Sequence, residues 1–132
     1  MYVPLRDRAT VDRAVLDVGD VRRIPETASV GIFVFAPDSD PATGRVYARM
    51  FAPHTSGVPE DPATGSASGP LGAYLVQHGL VKGSGRLRII SEQGTRMGRP
   101  SFVHVAVGTS PPYDIRVGGE VVDVLEGVLR LP

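Results

Sequence analysis

Hydrophobic residues along the chain fall into short alternating runs separated by Gly, Pro, Asp and Ser. Strands are expected at GIFVFAP (31–37), RVYARMFA (45–52), RLRIISEQ (86–93), FVHVAVG (102–108), DIRVGG (114–119) and EVVDVLEGVLRL (120–131). Each run is rich in β-branched or aromatic residues and is bounded by residues that interrupt strands. The connections DSDPATG (38–44) and TSPPY (109–113) carry turn chemistry, and the Gly-Gly pair of VGGE suits a tight turn or a bulge.

Two segments depart from this alternation. Around Thr10 to Leu16 the pattern is helical, with Thr10 as expected N-cap and Asp12 in the first turn. A longer helix is expected within GVPEDPATGSASGPLGAYLVQHGL (57–80), where Ala67, Leu71, Tyr74, Leu75 and His78 make the apolar stripe of a helix lying on a sheet. Gly79 stands where a left-handed residue ends a helix. Pro70 removes a backbone donor near the first turn, so the start is placed at Gly65 or Ser66 with local distortion. Many strands and one principal helix predict an α+β fold: a curved, mostly antiparallel sheet rolled around one central helix. A chain of 132 residues buries one core, so a single domain over 1–132 is expected.

Composition narrows the chemistry. Fourteen basic and fourteen acidic residues cancel, leaving no global field to hold the chain to nucleic acid or to an anionic membrane. The absence of Cys removes disulfides, thiolate metal sites and thiol nucleophiles together. The first residues, MYVPLRDRATVDRA, carry charges where a signal peptide has its apolar core, and no apolar run approaches the ~18 residues of a membrane span. A soluble, cytoplasmic protein without a membrane partner is the expectation.

The chemistry-bearing segment is the start of the long helix. A helix start leaves its first N–H groups unpaired at the positive end of the dipole, so Thr64-Gly65-Ser66-Ala67 can take an anion. Gly65 lets a ligand approach the backbone, and Ser66 adds a hydroxyl. Asp61 on the incoming segment would accept a hydrogen bond from an ammonium or hydroxyl of the same ligand, which suits a small amino or hydroxy acid. The plain structural alternative has Thr64 or Ser66 as N-cap, with Glu60 and Asp61 complementing the dipole.

Other polar residues are assigned more modest parts. Glu60 either raises the pKa of its neighbour by like-charge repulsion or, as favoured, is a solvated loop carboxylate. His54 stands in the loop before the motif, His78 near the helix end and His104 within a strand, separations that match no chelating motif, so no metal is expected. QGTRMGRPS is expected to form a turn, with structural roles for Gln93 and Arg99 favoured over lining a cleft, and Arg49 either faces an anion or, as favoured, is the polar side of an alternating strand.

Three motifs in order, RMFAPHTSGVPEDPATGSASGPLGAYLVQHGL, EQGTRMGRPSFVHVAV and VGGEVVDVLEG, resemble the C-terminal half of the PhzF-like phenazine biosynthesis proteins, relatives of diaminopimelate epimerase. The resemblance covers essentially the whole chain. It implies one half of a two-lobed fold, each lobe a rolled sheet around a helix with the active site between them.

It also implies cofactor-independent isomerase chemistry, in which a general acid/base moves a proton between carbons of a small cyclic amino or hydroxy acid. By resemblance, Asp61 holds the substrate's amino or hydroxyl group, while Gly65 and Ser66 bind its carboxylate. The proton-carrying Glu belongs to the N-terminal half in the family, which leaves activity of this chain by itself open. Related epimerases and racemases use paired thiols, and without Cys that route is excluded. The expected partner is a homodimeric second copy imitating the missing half, or a separate N-terminal half. The alternative function is a non-catalytic small-carboxylate binding module or an inactive severed half.

Overall fold

IFVFAP alternates side chains between two faces, and both faces are covered. In the computed structural model, which describes residues 1–21, 23, 31–52 and 59–130, this segment is strand β2 (Ile32–Pro37), buried over its first five residues. It pairs in parallel with β1 (Tyr2–Pro4) and antiparallel with β3 (Arg45–Phe51). Where one core was expected there are two: Phe33 and Phe35 enter one, and Ile32, Val34 and Ala36 enter a second on the opposite side, because the sheet is covered on both faces. The turn leading to β3 is held by Asp38 and Asp40, whose carboxylates accept from the N–H groups of Asp40 and Ala42.

The sheet continues through β5 (Arg86–Gln93), β6 (Ser101–Gly108) and β7 (Ile115–Gly118) in the order β1-β2-β3-β5-β6-β7, with β4 (Glu60–Asp61) on β3. The β1–β2 and β3–β5 pairings are parallel and the other four antiparallel, so the sheet is mixed but mostly antiparallel. One edge of β3 serves two partners: β5 pairs with Arg45, Val46 and Tyr47, and β4 pairs with Met50 and Phe51.

Helix α3 (Gly65–Gln77) lies in the first core, with Leu71 and Leu75 fully buried among Phe33, Phe35, Ile89, Val105 and Val107. Both ends of the strand order reach it. From β1, the Tyr2 hydroxyl donates to the Ala67 carbonyl at 2.7 Å; from β7, Ile115 and Val117 lie against Gly69. A sheet whose two edge strands touch one helix is curled around it, as expected. Gly72 makes this approach possible: a Cβ there would stand 2.8 Å from Val105 Cγ1. Gly79, at φ 63°, ends α3 in the left-handed conformation. Pro70 is exposed in the second turn, where its missing N–H removes one helical bond without a clash against the sheet.

The second core lies under α1 (Arg8–Arg13) and α2 (Val18–Val21), which contribute Val11 and Val21. Here the expected boundary is corrected. Asp7 is the N-cap, accepting from the Thr10 N–H at 2.7 Å, because the helix begins at Arg8 and Thr10 is its third residue, whose N–H has no carbonyl of the helix to bond. The Thr10 hydroxyl and N–H hold the Asp7 carboxyl down at a pKa of about 2.

Two further expectations change. Strand β1 was not anticipated, since three residues are too few for an alternating signal. Conversely, 120–130 forms no strand: it carries no ladder and is exposed throughout, while residue 131 lies outside the described residues. β-rich composition cannot make a strand without a partner for its backbone.

Candidate functional site

Glu60 and Asp61 do not sit in a loop. As β4 they pair with Phe51 and Met50, and adjacent residues of a strand face opposite sides. Glu60 therefore faces the second core with Phe51, and Asp61 faces the α3 side with Met50.

On its side, Glu60 meets Arg49 through a two-pronged ion pair, Nε to Oε1 at 2.9 Å and Nη2 to Oε2 at 2.8 Å. Both side chains are nearly buried, 10% and 14% exposed. The remaining guanidinium nitrogen, Nη1, donates to the carbonyls of Val11, Asp12 and Ala14 at the end of α1. Glu60's hydrogen bonds raise the Arg49 pKa further above its ordinary value. Glu60 is thus not a solvated loop carboxylate, and Arg49 is not on an exposed polar side of its strand but nearly buried. Parity along Glu60-Asp61 is the signal that would have separated them, but it requires knowing that these residues form a strand.

On the other side, Asp61 Oδ2 accepts from the Thr64 hydroxyl at 2.7 Å. That hydroxyl is consequently not turned back on the helix: Thr64, the N-cap of α3, makes no side-chain cap bond. The first turn keeps N–H groups without the usual side-chain acceptor, at the positive end of a thirteen-residue helix. Ser66 is exposed there, and Gly65 and Asp61 are half-buried. The structure brings Asp61, Gly65 and Ser66 together at one helix start.

Behind that start lies Gln93, which is fully buried. Its Oε1 accepts from the Thr64 N–H at 3.1 Å, and its Nε2 donates to Ser68 Oγ at 3.0 Å and to Ser91 Oγ at 3.4 Å. Ser68 Oγ in turn donates to the Thr64 carbonyl. Every polar group of the amide is used, so Gln93 locks the N-cap residue from behind, the structural role expected of it. The neighbouring turn is also as expected: Gly94 and Gly98 are left-handed around a 3-10 turn (Thr95–Met97), and a Cβ on Gly94 would stand 2.9 Å from the carbonyl of Pro62, next to Asp61. Arg99 is exposed.

His78 and His104 take no part at this helix start. His78 caps the far end of α3 against the Tyr74 ring, about 20 Å along the axis from Gly65. His104 is exposed on β6, on the face away from α3, and His54 lies outside the described residues. Among the described residues no group of three or more His, Asp or Glu converges as a metal site, and no helix is long and apolar enough to cross a membrane.

Comparison with known proteins bears on this arrangement. Residues 1–127 match the family model described as PhzC-PhzF, phenazine biosynthesis-like protein. An uncharacterized isomerase of Clostridium acetobutylicum is 38% identical over 104 residues, 76% of this chain and 34% of its own. The trans-2,3-dihydro-3-hydroxyanthranilate isomerase of Pseudomonas chlororaphis is 47% identical over 55 residues, 42% of this chain and 19% of its own. Among solved structures, a Bacillus anthracis phenazine biosynthesis protein of the PhzF family superposes with a TM-score of 0.71 at 23% identity, covering 89% of this chain and 41% of that one. The chain therefore spans well under half the length of these relatives.

Proposed function

The chain belongs to the PhzC-PhzF family of phenazine biosynthesis-like proteins, whose relatives include named isomerases, and from that premise we propose that it supplies the substrate-binding half of a cofactor-independent isomerase. The substrate is a small cyclic amino or hydroxy acid. Its carboxylate is held by the N–H groups at Gly65 and Ser66 with the Ser66 hydroxyl, and its ammonium or hydroxyl donates to Asp61.

One observation carries this reading: Asp61 draws the Thr64 hydroxyl away from the helix, leaving the start of α3 without a side-chain cap beside a carboxylate. A site with an anion-accepting end and a donor-accepting end orients a zwitterion or hydroxy acid in one sense only. The proton transfer between carbons needs a second acid/base group. Glu60 cannot serve, being bound to Arg49 on the other side of the sheet, so the carrier comes from the other half of the site. That half is a C-terminal-type domain's complement: a separate N-terminal half or a second copy.

The same observation about Glu60 supports the alternative function, a carboxylate-binding module without turnover. Incubation of the chain, by itself and mixed with the N-terminal half of a longer relative, with a dihydro-hydroxyanthranilate in deuterated water separates the two. An isomerase incorporates deuterium at carbon and loses this in Asp61→Ala; a binder is stabilised against heat by the acid and incorporates none. If no small carboxylate changes the melting temperature, both readings fail.

A further inference from the structure

We infer that Thr64 is a positioning residue of the site: its hydroxyl holds Asp61 off the first turn of α3, so that the helix start stays open to a ligand's carboxylate instead of being capped by the protein's own. The inference rests on the ligand reading above and adds to it the residue that keeps the two ends of the site apart.

Each polar group of Thr64 has its own partner. The N–H donates to Gln93 Oε1, and the carbonyl accepts from the N–H and the hydroxyl of Ser68, so the backbone is held from behind. Only the side chain turns the other way, donating to Asp61 Oδ2 at 2.7 Å. The backbone, at φ −98° and ψ 88°, stops short of the extended conformation from which a cap side chain folds back on its helix. The hydroxyl's single hydrogen therefore goes to Asp61. The second carboxylate oxygen, Oδ1, receives only a long bond of 3.3 Å from the Ala63 N–H.

Without that hold, Asp61 becomes a competitor for its own site. The N–H groups of Ser66 and Ala67, the second and third residues of α3, are the donors a cap normally takes, and the bond to the Thr64 carbonyl begins only at the Ser68 N–H. The Asp61 carboxylate already stands beside the N-cap side chain. Once the hydroxyl is gone, the positive end of the helix draws the carboxylate onto those donors. Tied to the same chain, it competes there at an effective concentration on the order of millimolar or more. Its own part, accepting from the ligand's amino or hydroxyl group, is lost in the same movement. One displaced side chain closes both ends of the site.

Amide chemical shifts of the purified full chain without ligand, and calorimetric titration with 3-hydroxyanthranilate and with benzoate, test this. Thr64→Val keeps the shape and removes the hydroxyl. The Ser66 and Ala67 amide protons should then move downfield as the carboxylate bonds them, and should move back when Asp61→Ala is added. Affinity for both acids should fall about five- to tenfold in Thr64→Val, the worth of an ordinary cap. Thr64→Ser, which keeps the hydroxyl, should bind within about twofold of the unaltered chain. Benzoate offers Asp61 no donor, and it should bind Thr64→Val/Asp61→Ala as well as it binds Asp61→Ala. A hydroxyl that merely stabilised the fold would weaken binding in either background. Unmoved amides in Thr64→Val overturn the inference alone and leave the ligand reading standing. So does a Thr64→Ser variant that fails to rescue binding, or benzoate binding weakened by Thr64→Val in the Asp61→Ala background. Unfolding of Thr64→Val overturns it as well, since the hydroxyl is then a structural group. An unaltered chain that binds neither acid overturns the ligand reading and, with it, the part given to Thr64.

Discussion

Arg49 and Glu60 are joined by two parallel hydrogen bonds, and the same guanidinium ties down three carbonyls at the end of α1. One side chain thus couples the strand that bears Asp61 to the helix layer on the far side of the sheet. Removing either partner strands the other as a nearly buried charge. Arg49→Ala and Glu60→Ala are each expected to destabilise the fold by about 3–5 kcal/mol, read from urea unfolding. Arg49→Met combined with Glu60→Leu should cost less than the sum of the single changes, because no charge is then left unpaired.

Gln93 makes a sharper demand on chemistry. Its replacement by Leu, similar in volume, should destabilise by about 1–3 kcal/mol for each group left unpartnered, with the Thr64 N–H foremost. Carboxylate binding at the helix start should weaken in parallel, since the N-cap residue loses its backing. Calorimetric titration with the acid alongside urea unfolding checks both effects.

Gly65 separates binding from folding. Its backbone needs no left-handed conformation, and an added Cβ would meet only Val117 at 3.8 Å. Gly65→Ala should therefore stabilise the chain by up to ~1 kcal/mol through helix propensity. The same methyl group obstructs a ligand's approach to the first-turn N–H groups, so affinity for the acid should fall by about tenfold or more. Melting temperatures with and without ligand give both quantities.

Stability should be flat through neutral pH and fall on either side. Hydrogen bonds from Thr10 hold Asp7 at about 2, and Arg8's hydrogen bonds lower Glu92. Both carboxylates therefore favour the folded state above their unfolded values of ~4, and this contribution is lost as pH drops, for Asp7 down to about 2. At the alkaline end, burial and the hydrogen bond to Asp12 push Tyr47 up to about 12. Its neutral form belongs to the folded state, so stability present below the unfolded value of ~10 is lost as pH rises toward 12. Urea midpoints from pH 2 to 12 should trace this plateau; Asp7→Asn should flatten the acid side and Tyr47→Phe the alkaline side.

The alternating segments and the long helix were legible because their signals are local. Phe33 and Phe35 against Ile32, Val34 and Ala36 is a period-two pattern, and Leu71 and Leu75 with Gly79 define a helix and its end. The meeting of Asp61, Gly65 and Ser66 was legible for the same reason, since six consecutive residues span them. Relations made by pairing were not. Glu60 looked solvated because nothing in its neighbourhood announces Arg49, eleven residues earlier and adjacent only once β4 lies on β3. EVVDVLEGVLRL read as a strand because composition records a capacity for pairing, not the presence of a neighbour to pair with. The Asp7 cap was missed by one turn, where Asp7 and Thr10 are both acceptable caps and only geometry chooses.

β2 has no wet side. Its odd residues belong to one core and its even residues to the other, so neither core can open while the other stays shut. The amides of Val34 and Phe35 should accordingly be among the last to exchange with deuterated solvent, at rates set by global unfolding alone. Damage introduced under the short helices, far from α3, is then passed to the α3 side by this strand, alongside β3 with its Arg49–Glu60 link.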